Sequence, residues 1–244
     1  MTDPAPAARA VFAAGLALAA FAIAANGPYA ALIALFDYDD VLRRPAGEVL
    51  TAFRAGGAAL VAAWWGFALA ALGFTAAVGL LGEAFRSGLA AIPRWVTAFG
   101  LASGFIQCAA LLRWTFVVPG LAESYAAAAP DSPARATAEA IYLALNAYAG
   151  AGLGEHLGQM LLAVWTAGVA LSLWRLGGAA GGIALAGLAT VPLWLIGQSE
   201  MLAPVLPGLP VIEAAPLAFM SWQLWLAALG IALALRSRAA LRPR

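Results

Sequence analysis

Long apolar runs separated by short polar clusters organise this chain from end to end. Six runs stand out: Ala10 to Phe36, Gly56 to Leu81, Trp95 to Val118, Gly152 to Trp174, Gly181 to Leu202 and Ala214 to Leu235. Each exceeds roughly 18 residues, enough for a helix to cross about 30 Å of hydrocarbon at about 1.5 Å per residue. The first run continues past Asn26, Gly27 and Pro28. That is longer than the apolar segment of a cleaved signal, so it reads as a retained helix kinked near Pro28. Between the third and fourth runs, Pro119 to Pro133 is rich in alanine and proline. Ala134 to Ala149 then carries Ile141, Tyr142, Leu145 and Tyr148 at helical spacing, which predicts an amphipathic helix on the membrane surface. A straight helix from Ala134 to Trp174 would overshoot the bilayer, so a break is expected within Gly150 to Gly154. The pattern predicts an all-α fold, a polytopic membrane helical bundle of about six transmembrane helices with an extra amphipathic surface helix, residues 1–244 forming a single transmembrane domain.

Composition sharpens this picture by exclusion. The chain is 64% hydrophobic and 10% charged, against about 45–50% and about 25% in soluble globular proteins. An aqueous surface cannot be assembled from so few charges. All thirteen basic residues are arginine, which removes Schiff-base chemistry and the phosphate-loop lysine. The one cysteine, Cys108, cannot close an intrachain disulfide and reads as a buried thiol. The one histidine, His156, rules out bis-histidine haem ligation and a multi-histidine zinc site within the chain. A net charge of +1 gives no basis for a nucleic-acid partner.

Charge placement along the runs predicts orientation, because cytoplasmic loops keep the excess of arginine. One side would hold Arg9, Arg86, Arg94, Arg175, Arg236, Arg238, Arg242 and Arg244. The other would hold Arg43, Arg44, Arg54 and Arg135 with most acids, among them Asp37, Asp39, Asp40, Glu123 and Glu200. Both termini are expected on the cytoplasmic side of the inner membrane.

Polar residues inside the runs are the candidate chemistry. Counting the helical rise inward from the cytoplasmic edge puts Gln159 at about 24 Å, Asn26 at about 26 Å, Arg113 at about 28 Å, Glu155 at about 30 Å and Glu200 at about 32 Å. Convergence on one depth predicts a polar pocket near the outer leaflet formed by Arg113, Glu155, His156, Gln159, Glu200 and Asn26, with interfacial anchoring as the structural alternative. Arg113 would contact an anionic group or pair with Glu155. A metal set of His156, Glu155 and Glu200 is disfavoured, since adjacent helical positions point about 100° apart, and no metal site is assigned. Ser103, Ser199 and Ser221 lack a nucleophile-elbow pattern, so no catalytic residue is assigned either. The glycines at positions 150, 154 and 158, at 100 and 104, and in the pairs 177/181 and 178/182 recur every fourth residue, a spacing that suits close helix packing. The nine tryptophans read as helix-interface packing and interfacial belt.

The segment Leu112-Arg113-Trp114-Thr115-Phe116-Val117-Val118-Pro119, together with Leu145-Asn146-Ala147-Tyr148-Ala149-Gly150 leading into Gly154-Glu155-His156-Leu157-Gly158, resembles a family of bacterial integral membrane proteins catalogued as domain of unknown function 4386. The resemblance implies a multi-helix membrane protein and carries no activity, cofactor or catalytic residue with it. Three functional readings follow. The first is binding or conduction of a small or amphipathic ligand through the polar pocket. The second is an accessory subunit whose glycine-lined faces hold a membrane-protein partner or a second copy, and the third is an intramembrane enzyme. The lipid bilayer is the one partner common to all three.

Overall fold

In a computed structural model, which describes residues 4–38 and 40–241, the chain is helical throughout its apolar runs, and no strand occurs among the described residues. Asp39, Arg242 and Arg244, which belong to the predicted charge asymmetry, lie outside the described residues. Among the described residues, six helical stretches are long and apolar enough to cross a membrane: Pro6–Phe36, Ala46–Arg86, Arg94–Ala127, Pro133–Trp174, Gly178–Leu202 and Ala215–Arg238. Helix is the form these runs must take where no water is present, because only it satisfies every backbone N–H and C=O within the segment.

Departures from regular helix fall where the residues demand them. The first stretch is interrupted at Ala25, between Pro4–Ala24 and Asn26–Phe36. Pro28 offers no N–H to the Ala24 carbonyl, so one hydrogen bond is missing from that turn. In the second stretch Gly57 takes φ 55° and ψ −150°, a conformation open to glycine and few other residues.

The fourth stretch corrects one expectation. The amphipathic helix is present as Pro133–Leu145, with Ala138 and Tyr142 buried and Ile141 exposed. The predicted break at Gly150 to Gly154 is absent. Asn146–Leu157 instead forms a π-helix that runs directly into Gly158–Trp174. A break would orphan several backbone groups, each costing a few kcal/mol in apolar surroundings, whereas a π-helix only widens the turn and keeps the bonding continuous. The small side chains of this segment allow the widening.

By internal contacts the chain divides into two compact units. The first comprises Met1–Ile23, Leu72–Phe105 and His156–Arg244, the second Ala24–Ala71 and Ile106–Glu155. In the first unit, Gly158–Trp174 packs against Gly178–Leu202, which packs against Ala215–Ala240. Its core is aromatic. Phe74 meets the edges of Trp165 at 5.2 Å and Trp222 at 5.3 Å, and Trp165 meets Trp225 at 6.1 Å. The Trp222 indole donates to Thr166 Oγ1 and the Trp225 indole to the Ile183 carbonyl, so both are paired while buried. Between Pro4–Ala24 and Ala215–Ala240 the backbones themselves meet: a Cβ on Gly15 would come 2.6 Å from the Gly230 carbonyl oxygen. This glycine contact is not among those the spacing singled out, and Gly181 and Gly182, which are, face open space.

The second unit is built round stacked rings. Trp64 and Trp114 lie parallel at 4.6 Å, Phe53 stacks on Trp114 at 5.7 Å, and Phe36 meets all three by its edge. Such pairs are each worth about 0.5–1.5 kcal/mol beyond simple burial. Val118–Ala127 packs on Pro133–Leu145 beside this stack.

Two alanine substitutions with open space around them should therefore differ in sign. Gly57→Ala forces a Cβ into a left-handed conformation and should cost about 1–3 kcal/mol. Gly181→Ala lies within a regular helix with nothing within 4 Å of the added carbon, and should be neutral or stabilising by up to about 1 kcal/mol. Thermal unfolding in one detergent reads both, and equal losses would contradict the conformational argument.

Candidate functional site

The six candidate residues divide between the units. Asn26, Arg113 and Glu155 belong to the second, and His156, Gln159 and Glu200 to the first. Asn26 and Glu200 are half-buried and each has a partner.

Arg113 heads the short helix Arg113–Phe116, after a turn that interrupts the helix ending at Leu111. It is 7% exposed. Its Nη1 donates to the Ala110 carbonyl at 2.7 Å and its Nη2 to Asn146 Oδ1 at 3.1 Å. Glu155 acts on the guanidinium electrostatically. The group lies 5.2 Å from the centre of the Trp114 ring, a cation–π distance. Gly150 makes room for it, since a Cβ there would come 2.5 Å from Nη2. One of the regularly spaced glycines thus admits a side chain, where the spacing had suggested close helix backbones.

Around this cation several buried polar groups lack a hydrogen-bond partner. Arg113 Nε, the indole nitrogens of Trp64 and Trp114, the Thr115 hydroxyl and the Tyr142 hydroxyl are all buried without a hydrogen-bond partner among the described residues. Trp64 stacks on Trp114, and the Tyr142 ring is 6.0 Å from Trp114, so most of these groups belong to one cluster. A buried polar atom without a partner costs about 1–3 kcal/mol, and of the five in this unit Arg113 Nε and the two indole N–H groups can only donate.

In the first unit, His156 Nδ1 lies 2.8 Å from Gln198 Oε1, and Gln198 Nε2 donates to Gln159 Oε1 at 2.8 Å. Gln198 is the link, and sequence reasoning missed it, although counting the rise from Ala179 puts it at about 28 Å, the depth of the other candidates. Asn146 was missed in the same way, because the expected break placed it outside the membrane span.

A separate open cleft of about 570 Å³ in the second unit is lined by Thr51, Arg54, Glu123, Tyr125 and Arg135. Its cations are engaged: Arg54 Nε pairs with Glu123 at 3.2 Å, and the Arg135 guanidinium sits 4.8 Å over the Tyr125 ring. The ion pair is exposed on both sides and contributes at most about 1 kcal/mol. Among the described residues no group of three or more metal-ligating side chains comes together.

Six apolar helices with an arginine and a chain of amides sunk within them define an integral membrane protein. Residues 13–230 match the family described as Domain of unknown function (DUF4386), and the chain belongs to that family. No curated protein and no solved structure matches it.

Replacing Asn146 with leucine leaves Arg113 Nη2 without its side-chain acceptor and should cost about 1.5–3 kcal/mol, the range for a hydrogen bond to a charged group. The double variant Arg113→Met/Asn146→Leu should lose less than the sum of the single variants, because the unpaired charge goes with its partner. Thermal stability of the four proteins in one detergent gives the coupling, and additive losses would show that the contact carries none.

Proposed function

We propose that this is a multi-pass protein of the bacterial inner membrane, both termini cytoplasmic, that binds a small or amphipathic anion at Arg113 near the outer leaflet. The observation that carries the reading is a set of buried donors round a buried cation: Arg113 Nε and the indole N–H groups of Trp64 and Trp114, which can only donate, have no acceptor among the described residues in one aromatic cluster, and the Tyr142 and Thr115 hydroxyls are buried without a partner as well. An anionic headgroup supplies several acceptor oxygens at once and offsets the buried charge. The rings would hold the apolar part of such a ligand. All five atoms are sealed, so access requires the adjoining Asn146–Leu157 segment to move, and π-helical turns recur at functional sites. The exposed cleft at Arg54 and Arg135 is the poorer candidate, because its cations already have partners in a screened setting. Orientation rests on the excess of arginine at Arg9, Arg86, Arg94, Arg175, Arg236 and Arg238.

Two experiments test this. Dodecyl phosphate should raise the unfolding temperature of the purified protein well above the effect of dodecanol, since binding to the folded state alone adds about 2.7 kcal/mol at a hundredfold excess over Kd. Arg113→Gln should remove the difference, and equal stabilisation by the two amphiphiles would end the anion reading. For topology, a cysteine at Ser132 in a Cys108→Ala background should react with a membrane-impermeant maleimide on intact cells. One at Ser87 should react only after permeabilisation, and the opposite pattern would invert the orientation.

A further inference from the structure

The open cleft of the second unit is lined from three helices: Thr51 and Arg54 on Ala46–Arg86, Glu123 and Tyr125 on Val118–Ala127, and Arg135 on Pro133–Leu145. Its volume, about 570 Å³, is that of a small-molecule pocket. Each of its guanidiniums is fixed through one nitrogen. Arg135 Nε donates to the Ala128 carbonyl at 3.1 Å, the guanidinium lies over the Tyr125 ring, and the Arg135 backbone N–H is capped by Ser132 Oγ. Arg54 Nε donates to Glu123 Oε1 at 3.2 Å. The terminal nitrogens of both arginines, and Glu123 Oε2, have no partner among the described residues. An arginine held at Nε alone still presents the fork of its two terminal amino groups, which matches a carboxylate in geometry.

We propose that this cleft binds a small water-soluble zwitterion with one ammonium and two carboxylates, the charge pattern of an acidic amino acid. The charges of the lining select this class. They are two guanidiniums and one carboxylate, so the ligand's carboxylates take the two free forks and its ammonium takes Glu123 Oε2. An anion lacking the ammonium would set like charge against Glu123, and a simple cation would meet both arginines. A second acid stands behind Tyr125: a Cβ on Gly47 would run into the Tyr125 hydroxyl and come 2.6 Å from Glu139 Oε1. That carboxylate favours an ammonium further. Solubility in water follows from exposure. The Arg54 and Glu123 side chains are 53% and 68% exposed, and charged groups so open would be costly in hydrocarbon. The ion pair that makes this cleft a poor place for a buried anion thus suits it to a ligand of both signs. The site is separate from Arg113, and either can fail without the other.

Two probes separate the charges. Equilibrium dialysis of the purified protein is run with radiolabelled glutamate and with radiolabelled glutarate, which has the same two carboxylates and no ammonium. At low ionic strength glutamate should bind up to about fivefold tighter than glutarate, the worth of one exposed ion pair, and added salt should weaken both. Glu123→Gln should remove the preference, bringing glutarate to the affinity of glutamate or above it. Arg54→Gln and Arg135→Gln should each weaken both probes about fivefold. Arg135 also holds Ala128 and Tyr125, whereas Arg54 is exposed and bonded to Glu123 alone, so Arg54→Gln decides if the other variant does not fold. Absence of glutamate binding, or glutarate bound as tightly as glutamate by the unaltered protein, would overturn the proposal. So would a preference for glutamate that survives Glu123→Gln, or glutamate binding unchanged by Arg54→Gln.

Discussion

Where there is no water, every backbone N–H and C=O must find its partner within the chain, and the shape of this protein answers to that demand. It makes each apolar run a helix, and it decides what happens when a run is too long or holds an awkward residue. At Pro28 one donor is missing and the helix is interrupted at Ala25, three residues earlier. At Asn146–Leu157 the same demand selects a widened turn where surplus length had suggested a break. Losing several backbone bonds would cost more than the poorer geometry of π-helical bonding, and the glycines there offer no bulk to resist the change.

Side chains face the same demand with less success. Trp222 and Trp225 place their indole N–H groups on Thr166 and on the Ile183 carbonyl, while Trp64 and Trp114 stack face to face and leave theirs unused. An arginine at the centre of a bilayer costs about 2.5–3.5 kcal/mol on insertion scales, so Arg113 is expected to face protein and not lipid. It does, on Asn146 and the Ala110 carbonyl. Neither partner carries a negative charge, and the largest electrostatic compensation within the unit is the pull of Glu155. That imbalance distinguishes Arg113 from Arg54, whose carboxylate partner Glu123 is bonded directly in a solvent-open setting.

Much of the architecture was legible because hydropathy acts over whole segments. Six helices, the amphipathic Pro133–Leu145 and the family could be read from apolar runs and two polar motifs. A depth count brought Arg113 and Gln159 forward, with His156 beside them in the same run, since an ionisable or amide group in an apolar run is visible without knowing its neighbours. The count was silent about direction. It ranked Glu155 as the partner of Arg113 and passed over Asn146, whose Oδ1 accepts from the guanidinium.

The sequence by itself therefore determined that this chain is all-helical, suited to lipid and sparing in polar groups, because burial and backbone bonding depend on composition and spacing alone. Tertiary structure decided which polar groups meet. Gln198 joins His156 to Gln159, Gly150 admits Arg113, and Gly15 meets Gly230 backbone to backbone, because each contact depends on how helices remote in sequence are rotated and set in depth. A change of one helical position turns a side chain by about 100°, and no periodicity in a single segment specifies the rotation of its neighbour.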